Sequence, residues 1–479
     1  MNLYLLTFFW LSFGLVLLTI ILPATLVTPG PNLGSLAPAA FYGAATAGWV
    51  IPVTSTCVTT PSTNYSGVRR LSNDNFAPGG RSPLSTLSNL AWAFGQLVME
   101  DMVVLTPNNA AASPIVVALS DLGVNVTMDV VPVVTRSGIG NTTNPWGCAE
   151  VPNNVSALLD CSWLYGDSTQ QAAVVREGVN GRLRMSSGGN LPINGVTGEF
   201  VAANSALANE NVVVSALMDA FLLEHNRWAN ELHALNSGLS DDILFYKARS
   251  IVIAQYQAIL YNEWIPFVLG APPPAAAPPV APPPQVSLEF ALLGTQFYKT
   301  MINGDAGVVY GNTTHQILQQ TVRGVLLGAW QSAGRQFDSY VASTIANNSI
   351  PYDFIAEVLA LSQQVGLAPY VNIRASIGNT LCIADASRWG GPALASFFNE
   401  SLPLGQQVGC GTSILVSDQL RRSIAADPYW FSLPHMRRYL SPTWYEAITQ
   451  TRMVDILTRN FAITAPTGAP TDSAFLVRR

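Results

Sequence analysis

Apolar residues recur every three to four positions along several long stretches of the chain. In the first of these, Leu90, Phe94 and Leu97 fall on one helix face, and Asp101 follows one turn later. Strictly alternating strand patterns are scarce. The spacing therefore predicts a mainly α-helical protein. One helix is expected to begin near Leu87. Further helices are expected over residues 211–235, 241–268, 288–302, 316–346, 353–366 and 441–460.

The apolar run at residues 3–27 carries no charge and is long enough to cross a bilayer as one helix. It lacks the basic start, the short core and the small-residue cleavage site of a typical signal peptide. Residues 1–28 are therefore predicted to be an uncleaved signal-anchor, with a cleaved signal peptide as the alternative. In either case the body would lie in the secretory lumen or outside the cell, membrane-anchored or secreted.

Asn-x-Ser/Thr triplets support that location, because N-glycans are attached in the secretory pathway. Seven triplets occur, and they begin at Asn64, Asn125, Asn141, Asn154, Asn312, Asn347 and Asn399. The sequence thus predicts a glycoprotein.

Five cysteines fit the same oxidising compartment. Candidate disulfides are Cys57 with Cys148 and Cys382 with Cys410. This pairing would leave Cys161 as a free thiol.

Composition sets the outline of the domain. With 479 residues, 49% of them hydrophobic, the chain can bury a large core. A net charge of −6 with no basic stripe argues against nucleic acid as a partner. Pro, Gly, Ser and Thr dominate residues 29–80, which predicts a loop-rich entry segment. The main domain is expected at 81–465, with a proline-rich insertion at 271–284 and a tail at 466–479.

Residues 222–270 contain two compact polar motifs in an otherwise apolar stretch: Glu-His-Asn-Arg at 224–227 and Tyr-Asn-Glu-Trp-x-Pro at 261–266. Five more stretches accompany them in colinear order, "LSNLAWAFGQLVMEDMVVLTP", "LLDCSWLYGDS", "FVAANSALANENVVVSALMDA", "SLEFALLGTQFYKTMI" and "LSPTWYEAITQTRMVDILTRN". Together they resemble the animal-type haem peroxidase family, which includes peroxidasin and myeloperoxidase. The resemblance implies a helical haem-peroxidase-like domain.

The distal helix of that family reads Gln-x-x-Asp-His-Asp, and this chain has Gln96 to Asp101 at the matching positions. Glu100 stands where the family has the histidine that moves a proton across bound peroxide. Met99 replaces an aspartate that often forms an ester with the haem. The resemblance leaves Gln96 and Glu100 as the candidate catalytic side chains.

Of four further pocket positions, three depart from the family pattern and one retains it. Leu207 stands at the distal arginine, while Glu210 retains the second ester-forming acid. Lys299 stands at the proximal histidine that ligates iron, and Gln296 replaces an arginine three residues before it. A fatty-acid oxygenase would have a tyrosine at position 296, so that chemistry is disfavoured. His315 is the other nearby candidate for an iron ligand.

These replacements remove what peroxide heterolysis requires, namely a base near neutral pKa and a fixed cation. An ordinary Glu has a pKa near ~4.3, Leu207 has no charge, and a lysine ammonium has no free lone pair. The favoured interpretation is a pseudoenzyme that has lost haem and kept a structural or binding role. The alternative is a haem-dependent peroxidase with Lys299 as the axial ligand, an ester at Glu210, and Glu100 as acid–base.

The calcium loop of the family is retained. Its pattern of hydroxyl, backbone carbonyl and carboxylate ligands supplies the oxygen atoms that Ca²⁺ prefers. The resemblance assigns these ligands to Asp101, Ser156, the carbonyl of Leu158, Asp160 and Ser162. The alternative is an Asx or Ser/Thr turn that closes the loop without an ion.

Overall fold

The structure is a computed structural model that describes residues 48–51, 68–78, 83–105, 151–270, 286–303, 317–342, 354–377 and 393–478. Helices account for most of these residues, and the strands among them form three small sheets. The prediction of a mainly α-helical protein is confirmed. Within the described part of the chain, no helix combines the length and the apolar character needed to span a membrane. The predicted anchor at 3–27 and the insertion at 271–284 lie outside it.

The α-helices follow one another along the described chain. Their bounds are α1 Val68–Asn75, α2 Asn89–Met102, α3 Ser162–Tyr165, α4 Thr169–Val175, α5 Ser205–Glu210, α6 Val212–Leu235, α7 Asp241–Ile259, α8 Ile265–Leu269, α9 Leu288–Leu292, α10 Tyr298–Met301, α11 Val322–Gln331, α12 Phe354–Val365, α13 Tyr370–Ser376, α14 Ala393–Phe398, α15 Cys410–Ala426, α16 Pro434–Tyr439, α17 Tyr445–Thr449 and α18 Met453–Phe461. A π-helical turn, Leu260–Trp264, joins α7 to α8, and a 3₁₀ turn, Gly294–Gln296, precedes α10.

The strands are short and lie at the edges of the helical body. Their bounds are β1 Gly48–Ile51, β2 Ala77–Pro78, β3 Leu84–Ser88, β4 Val151–Asn153, β5 Val286–Ser287, β6 Ala333–Arg335 and β7 Tyr340–Val341. β1 pairs antiparallel with β4 and parallel with β5, β2 pairs parallel with β7, and β3 pairs antiparallel with β6. The segment predicted to be loop-rich, 29–80, thus contributes β1, α1 and β2.

Several predicted helices agree with the structure, and others are shorter or divided. α6 and α12 match their predictions, and α7 continues through the π-helical turn into α8. The helix predicted over 316–346 is wrong beyond Gln331, where β6 and β7 follow. At Gly334 in β6, an added Cβ would lie 3.2 Å from the Met301 carbonyl and 3.4 Å from Trp92. This segment instead pairs with β3, with Leu84 opposite Arg335 and Ser88 opposite Ala333.

The helix α2 runs through the centre of the core. Each of its residues except Glu100 is buried, as expected of a helix surrounded by protein. The Phe94 ring packs at 5.2–6.4 Å between centroids against Phe221, Tyr256 and Phe475. Helix α2 is therefore held by partners from α6, α7 and the C-terminal tail.

The Glu-His-Asn-Arg motif fastens α6 to its surroundings. Glu224 accepts hydrogen bonds from Arg227, Gln255, Arg459 and Asn460 at 2.8–3.0 Å. These partners belong to α6, α7 and α18, so a single buried carboxylate links three helices.

The next two residues of this motif bind a loop. Nδ1 of His225 lies 3.0 Å from the Tyr165 hydroxyl, and Nε2 lies 2.8 Å from the Gly181 carbonyl. The Asn226 amide exchanges two hydrogen bonds with the backbone of Leu183. The motif is therefore structural in this chain.

The motif at 261–266 ties down the C-terminal segment. The Glu263 carboxylate accepts from the Met453 amide at 2.9 Å and from the Ser473 hydroxyl at 2.7 Å. The Trp264 indole donates to the Ala91 carbonyl at 2.7 Å. Both motifs thus preserve the scaffold around α2.

The cysteines follow the prediction as far as the described chain reaches. Cys161 is buried and free, as predicted. Cys410 forms a disulfide, and the remaining three cysteines lie outside the described residues. The predicted pairing of Cys382 with Cys410 stays a prediction.

Candidate functional site

Glu100 is the exception on an otherwise buried helix. It lies in the last turn of α2, and part of its surface remains accessible to solvent. Burial raises the pKa of its carboxyl group to about 8. The nearby charges of Glu210 and Glu357 act in the same direction, and the charge of Lys299 opposes them. Glu100 therefore lies within electrostatic range of three charged side chains that come from three other helices.

Lys299 lies in α10, opposite the end of α2. Only 7% of the residue is exposed, and its Nζ lies 5.5 Å from the centre of the Phe354 ring. Among the described residues, no carboxylate oxygen lies within the 4.0 Å of an ion pair with Nζ. The ammonium therefore sits against an aromatic face without direct contact with Glu100.

Glu210 and Lys299, two of the predicted site residues, thus lie within electrostatic range of Glu100; their shared role stays a prediction. Glu357 also acts on Glu100, and Phe354 contacts Lys299, and sequence reasoning missed these two residues of α12. Both lie on a helix that was predicted correctly, but nothing in its periodicity indicates which residues face α2. In the structure, Glu357 is partly exposed, whereas its neighbours Ile355 and Val358 are buried. This difference in burial separates Glu357 from the residues of α12 that pack in the core.

Two glutamine side chains in this region have unmet hydrogen-bonding capacity. Gln96 is fully buried, and neither atom of its amide group has a partner in the described structure. It lies four residues before Glu100, so both side chains share a helix face. Gln296 donates to the Thr295 hydroxyl at 2.6 Å, while its Oε1 accepts no hydrogen bond. Because buried polar groups are nearly always paired in native proteins, these amides retain hydrogen-bonding capacity that the described residues do not meet.

Apolar residues occupy the other aligned pocket positions. Leu207, in α5, is 1% exposed, and Met99 is equally buried. The amide of Leu207 donates to the side chain of Asn204, the N-cap of α5. That cap fixes the start of a short helix that also carries Glu210. The position aligned with a distal arginine is therefore part of the hydrophobic core.

The predicted calcium ligands converge on the other side of α2. The Asp101 carboxylate accepts hydrogen bonds from the Cys161 amide at 3.0 Å and from the Ser162 amide at 2.6 Å. The Ser162 hydroxyl also donates to it, at 2.9 Å. The Ser156 hydroxyl donates to Asp160 at 2.9 Å. Four of the five predicted ligand residues are thus joined in two hydrogen-bonded pairs.

The electrostatics of this loop fit a cation. Burial raises the pKa of Asp101 to about 7, although its hydrogen bonds oppose the change. Burial also raises the pKa of Asp160 well above its usual range, and the Asp101 charge adds to that effect. Oδ1 of Asp160 has no hydrogen-bond partner. Two mutually repelling buried carboxyls with an unpaired oxygen suit Ca²⁺.

Leu158, the fifth predicted ligand, lies in the same loop, where its amide donates to the Ser156 hydroxyl. No group of three or more His, Cys, Asp or Glu side chains in the described chain is arranged for a metal ion. The predicted set contains only two carboxylates, with hydroxyl and carbonyl oxygens as the other ligands, so the calcium site stays a prediction.

Comparison with known proteins places this geometry in a family. The sequence model of the animal haem peroxidase family matches residues 49–381. A peroxidase of Drosophila melanogaster is 39% identical over 137 residues, which cover 26% of this chain and 20% of the relative. Peroxinectin A of Dictyostelium discoideum is 23% identical over 341 residues, which cover 60% of this chain and 64% of the relative. The chain spans less than two thirds of each relative's length.

Solved structures share the fold. Peroxidase A from Dictyostelium discoideum superposes with a TM-score of 0.71 at 18% sequence identity, covering 89% of this chain and 94% of that one. A fatty acid alpha-dioxygenase of Oryza sativa gives a TM-score of 0.67 at 14% identity, covering 88% and 84%. At these identities the likeness concerns the fold, and the site must be argued from its own residues.

Proposed function

The chain belongs to the animal haem peroxidase family, and we propose that it is a secretory-pathway glycoprotein that uses the peroxidase fold without ordinary peroxidase turnover. Its role would be structural or would consist in binding. One observation carries the proposal: Lys299, which the resemblance aligns with the iron ligand, is buried and lies within electrostatic range of Glu100. The pocket is built around charges that differ in kind from those that peroxide chemistry uses.

The residues present do not fit a haem held by imidazole, the usual ligand in peroxidases. His225 uses both ring nitrogens in the bonds to Tyr165 and Gly181. His233 lies near the end of α6, and exposed His435 contacts the Pro428 carbonyl. His225 therefore has no free ring nitrogen for iron, and His315, the fourth histidine, is outside the described chain.

The distal side also lacks a fixed cation for peroxide cleavage. Such a cation contributes on the order of 10²–10³ in rate. Leu207 is packed in the core and offers no charge. Burial raises the pKa of Glu100 to about 8, close to the value that an acid–base group needs at neutral pH, so this residue alone is compatible with the alternative. The missing cation therefore supports a non-enzymatic role.

Two exposed sequons support the glycoprotein part of the proposal. Asn154 and Asn399 are exposed in the structure, as a glycan acceptor must be. The other five sequons lie outside the described residues. An uncleaved segment 3–27 would hold the body at the membrane, on its lumenal or extracellular side.

The calcium loop belongs to the same proposal. One Ca²⁺ would be held by the carbonyl of Leu158 and by the side chains of Asp101, Ser156, Asp160 and Ser162. The ion would neutralise two buried carboxyls and join α2 to the segment before α3. Its role would be to stabilise the fold, which is independent of what the haem pocket binds.

An absorption spectrum of the purified full chain, produced by a secreting host with added haem, tests the proposal. We expect no Soret band, no peroxide-dependent oxidation, and about one calcium per chain by metal analysis. A Soret band at one haem per chain, with turnover that Glu100→Gln abolishes, would overturn it. That outcome would establish the alternative, in which Lys299 ligates iron, Glu210 forms an ester and Glu100 acts as acid–base.

A further inference from the structure

A single buried amide joins the predicted calcium loop to a distant part of the chain. Gln257 lies in α7 and is 1% exposed. Its Nε2 donates to the Leu159 carbonyl at 2.9 Å and to the Asp427 carboxylate at 2.8 Å. Its Oε1 accepts from the Phe431 amide at 2.9 Å. Both N–H donors of this side chain are therefore in use, and they hold it between the loop and the turn 427–431 that follows α15.

The contact with Leu159 reaches the centre of the loop. Leu159 is buried and lies between Leu158 and Asp160, two of the predicted calcium ligands. A carbonyl that is held at this position limits how far the peptide groups on either side can move. The hydrogen bond from Gln257 therefore restrains both neighbouring ligands, although Gln257 is not itself among the predicted ligands.

The other end of the loop provides a second, independent observation. Cys161 has a φ of 56°, in the left-handed region that side chains other than glycine rarely adopt. Its amide and that of Ser162 donate to the Asp101 carboxylate, and these bonds hold the unusual conformation. The loop is thus restrained from two helices, from α7 at Leu159 and from α2 at residues 161–162.

We propose that Gln257 is a positioning residue of the calcium loop, which orders the Leu158 and Asp160 ligands and couples calcium binding to the turn 427–431. The inference rests on the calcium site of the proposed function. Groups that hold metal ligands in place contribute roughly 10- to 100-fold to metal affinity. They do so because a site that is already ordered loses less conformational freedom when the ion binds.

Gln255, two residues earlier in α7, offers a matched control. It is equally buried, and its amide also makes three hydrogen bonds, at 3.0–3.2 Å, with Trp228, Glu224 and Thr451. These three partners lie outside the calcium loop. Replacing either glutamine with methionine keeps the length of the side chain and removes three buried hydrogen bonds. Both substitutions should therefore lower the free energy of unfolding, but only the loss of Gln257 should affect the loop.

Isothermal calorimetry of the full chain, stripped with a chelator and titrated with Ca²⁺, tests the assignment. Gln257→Met should raise the Ca²⁺ dissociation constant roughly tenfold or more, while Gln255→Met should leave it unchanged. An unchanged constant in Gln257→Met, or equal weakening in the two variants, would overturn the proposal. A natural chain that binds no calcium would instead refute the calcium site of the proposed function, and this inference with it.

Hydrogen exchange of the natural chain tests the coupling even if Gln257→Met folds poorly. Coupling between two sites is reciprocal, so saturating Ca²⁺ should slow exchange of the Phe431 amide by roughly the factor that Gln257 contributes to calcium affinity. The Tyr429 amide, which donates to Asp427 at 2.7 Å, should follow. The Met453 amide, which also donates to a buried carboxylate, is the control and should change little. Equal slowing at all three amides would indicate global stabilisation only and would overturn the proposal, as would unchanged exchange at Phe431.

Discussion

The Lys299 ammonium lowers the pKa of Glu100, and yet no ion pair within 4.0 Å joins these two described side chains. The resemblance to the family aligns their positions with the distal and proximal histidines. By that alignment, a carboxyl group stands in place of the proton shuttle and an ammonium in place of the iron ligand.

Restoring the proximal imidazole should restore haem binding. We expect Lys299→His to give a Soret band with added haem, whereas Lys299→Gln, which has no imidazole, should give none. Adding Glu100→His and Leu207→Arg to Lys299→His should then raise peroxide-dependent oxidation by roughly 10²-fold or more for each. Absence of a Soret band in folded Lys299→His would show that residues besides Lys299 exclude haem.

Gly95 marks a close approach between α2 and the proximal side of the pocket. A Cβ at this position would lie 2.9 Å from the Trp264 ring and 3.0 Å from Phe297. Overpacking of this kind costs about 1–3 kcal/mol, so Gly95→Ala should lower the free energy of unfolding in urea. Gly328 in α11 has open space around its Cβ direction, and Gly328→Ala should stabilise by about 0.4–1 kcal/mol. Equal effects of the two substitutions would contradict this description of the packing.

Replacing the Glu224 carboxylate should destabilise the fold. Burial alone would raise its pKa, but hydrogen bonds and charges from Arg227 and Arg459 lower that pKa to about 2. Glu224→Gln should cost roughly 3 kcal/mol, the low end for a broken buried pair, because both arginines are partly exposed to water. Glu446→Gln is the control, since its pair with Arg437 is more than half exposed and should contribute about 1 kcal/mol or less. Chemical denaturation of both variants measures the difference.

The buried His225 should make the protein sensitive to mild acid. Burial lowers the pKa of this imidazole from 6.5 to about 4. The unfolded chain therefore takes up the proton first, and stability is lost as pH falls from 6.5 towards 4, by roughly 3 kcal/mol in total. The Glu224 contribution is present above pH 4.5 and is lost as pH falls towards 2.

Urea midpoints at several pH values isolate the histidine. His225→Gln should be less stable than the natural chain at pH 7, and this difference in the free energy of unfolding should become smaller as the pH approaches 4. A difference that is constant across this range would mean that His225 titrates normally in the folded protein.

Removal of calcium should lower thermal stability. Chelation would leave the Asp101 and Asp160 carboxyls buried without a counter-ion, so the melting temperature should fall by several degrees and recover when Ca²⁺ is added. Asp160→Asn should abolish the response, whereas Asp418→Asn, on the exposed face of α15, should preserve it. A melting temperature that is insensitive to chelator and to calcium would favour the alternative of a hydrogen-bonded turn.

Sequence patterns alone determined the helical class and several helix positions. The apolar spacing of α2, α6, α7 and α12 reflects which residues face a core. This local pattern therefore predicts helices that are also present in the folded chain. The resemblance also aligned Glu100, Glu210 and Lys299 with one pocket, and the structure places Glu210 and Lys299 within electrostatic range of Glu100. Motifs that occur in the same order along the chain allow these positions to be aligned, because the fold is shared.

Tertiary structure decided the rest, since it depends on contacts between residues far apart in the chain. The predicted helix 316–346 gives way to β6, which pairs with the distant strand β3. Glu357 acts on Glu100 because of how α12 packs, which no local period encodes. Whether Glu100 and Lys299 form an ion pair is set by the distance between α2 and α10. That distance is a property of the whole core, so only the folded chain contains it.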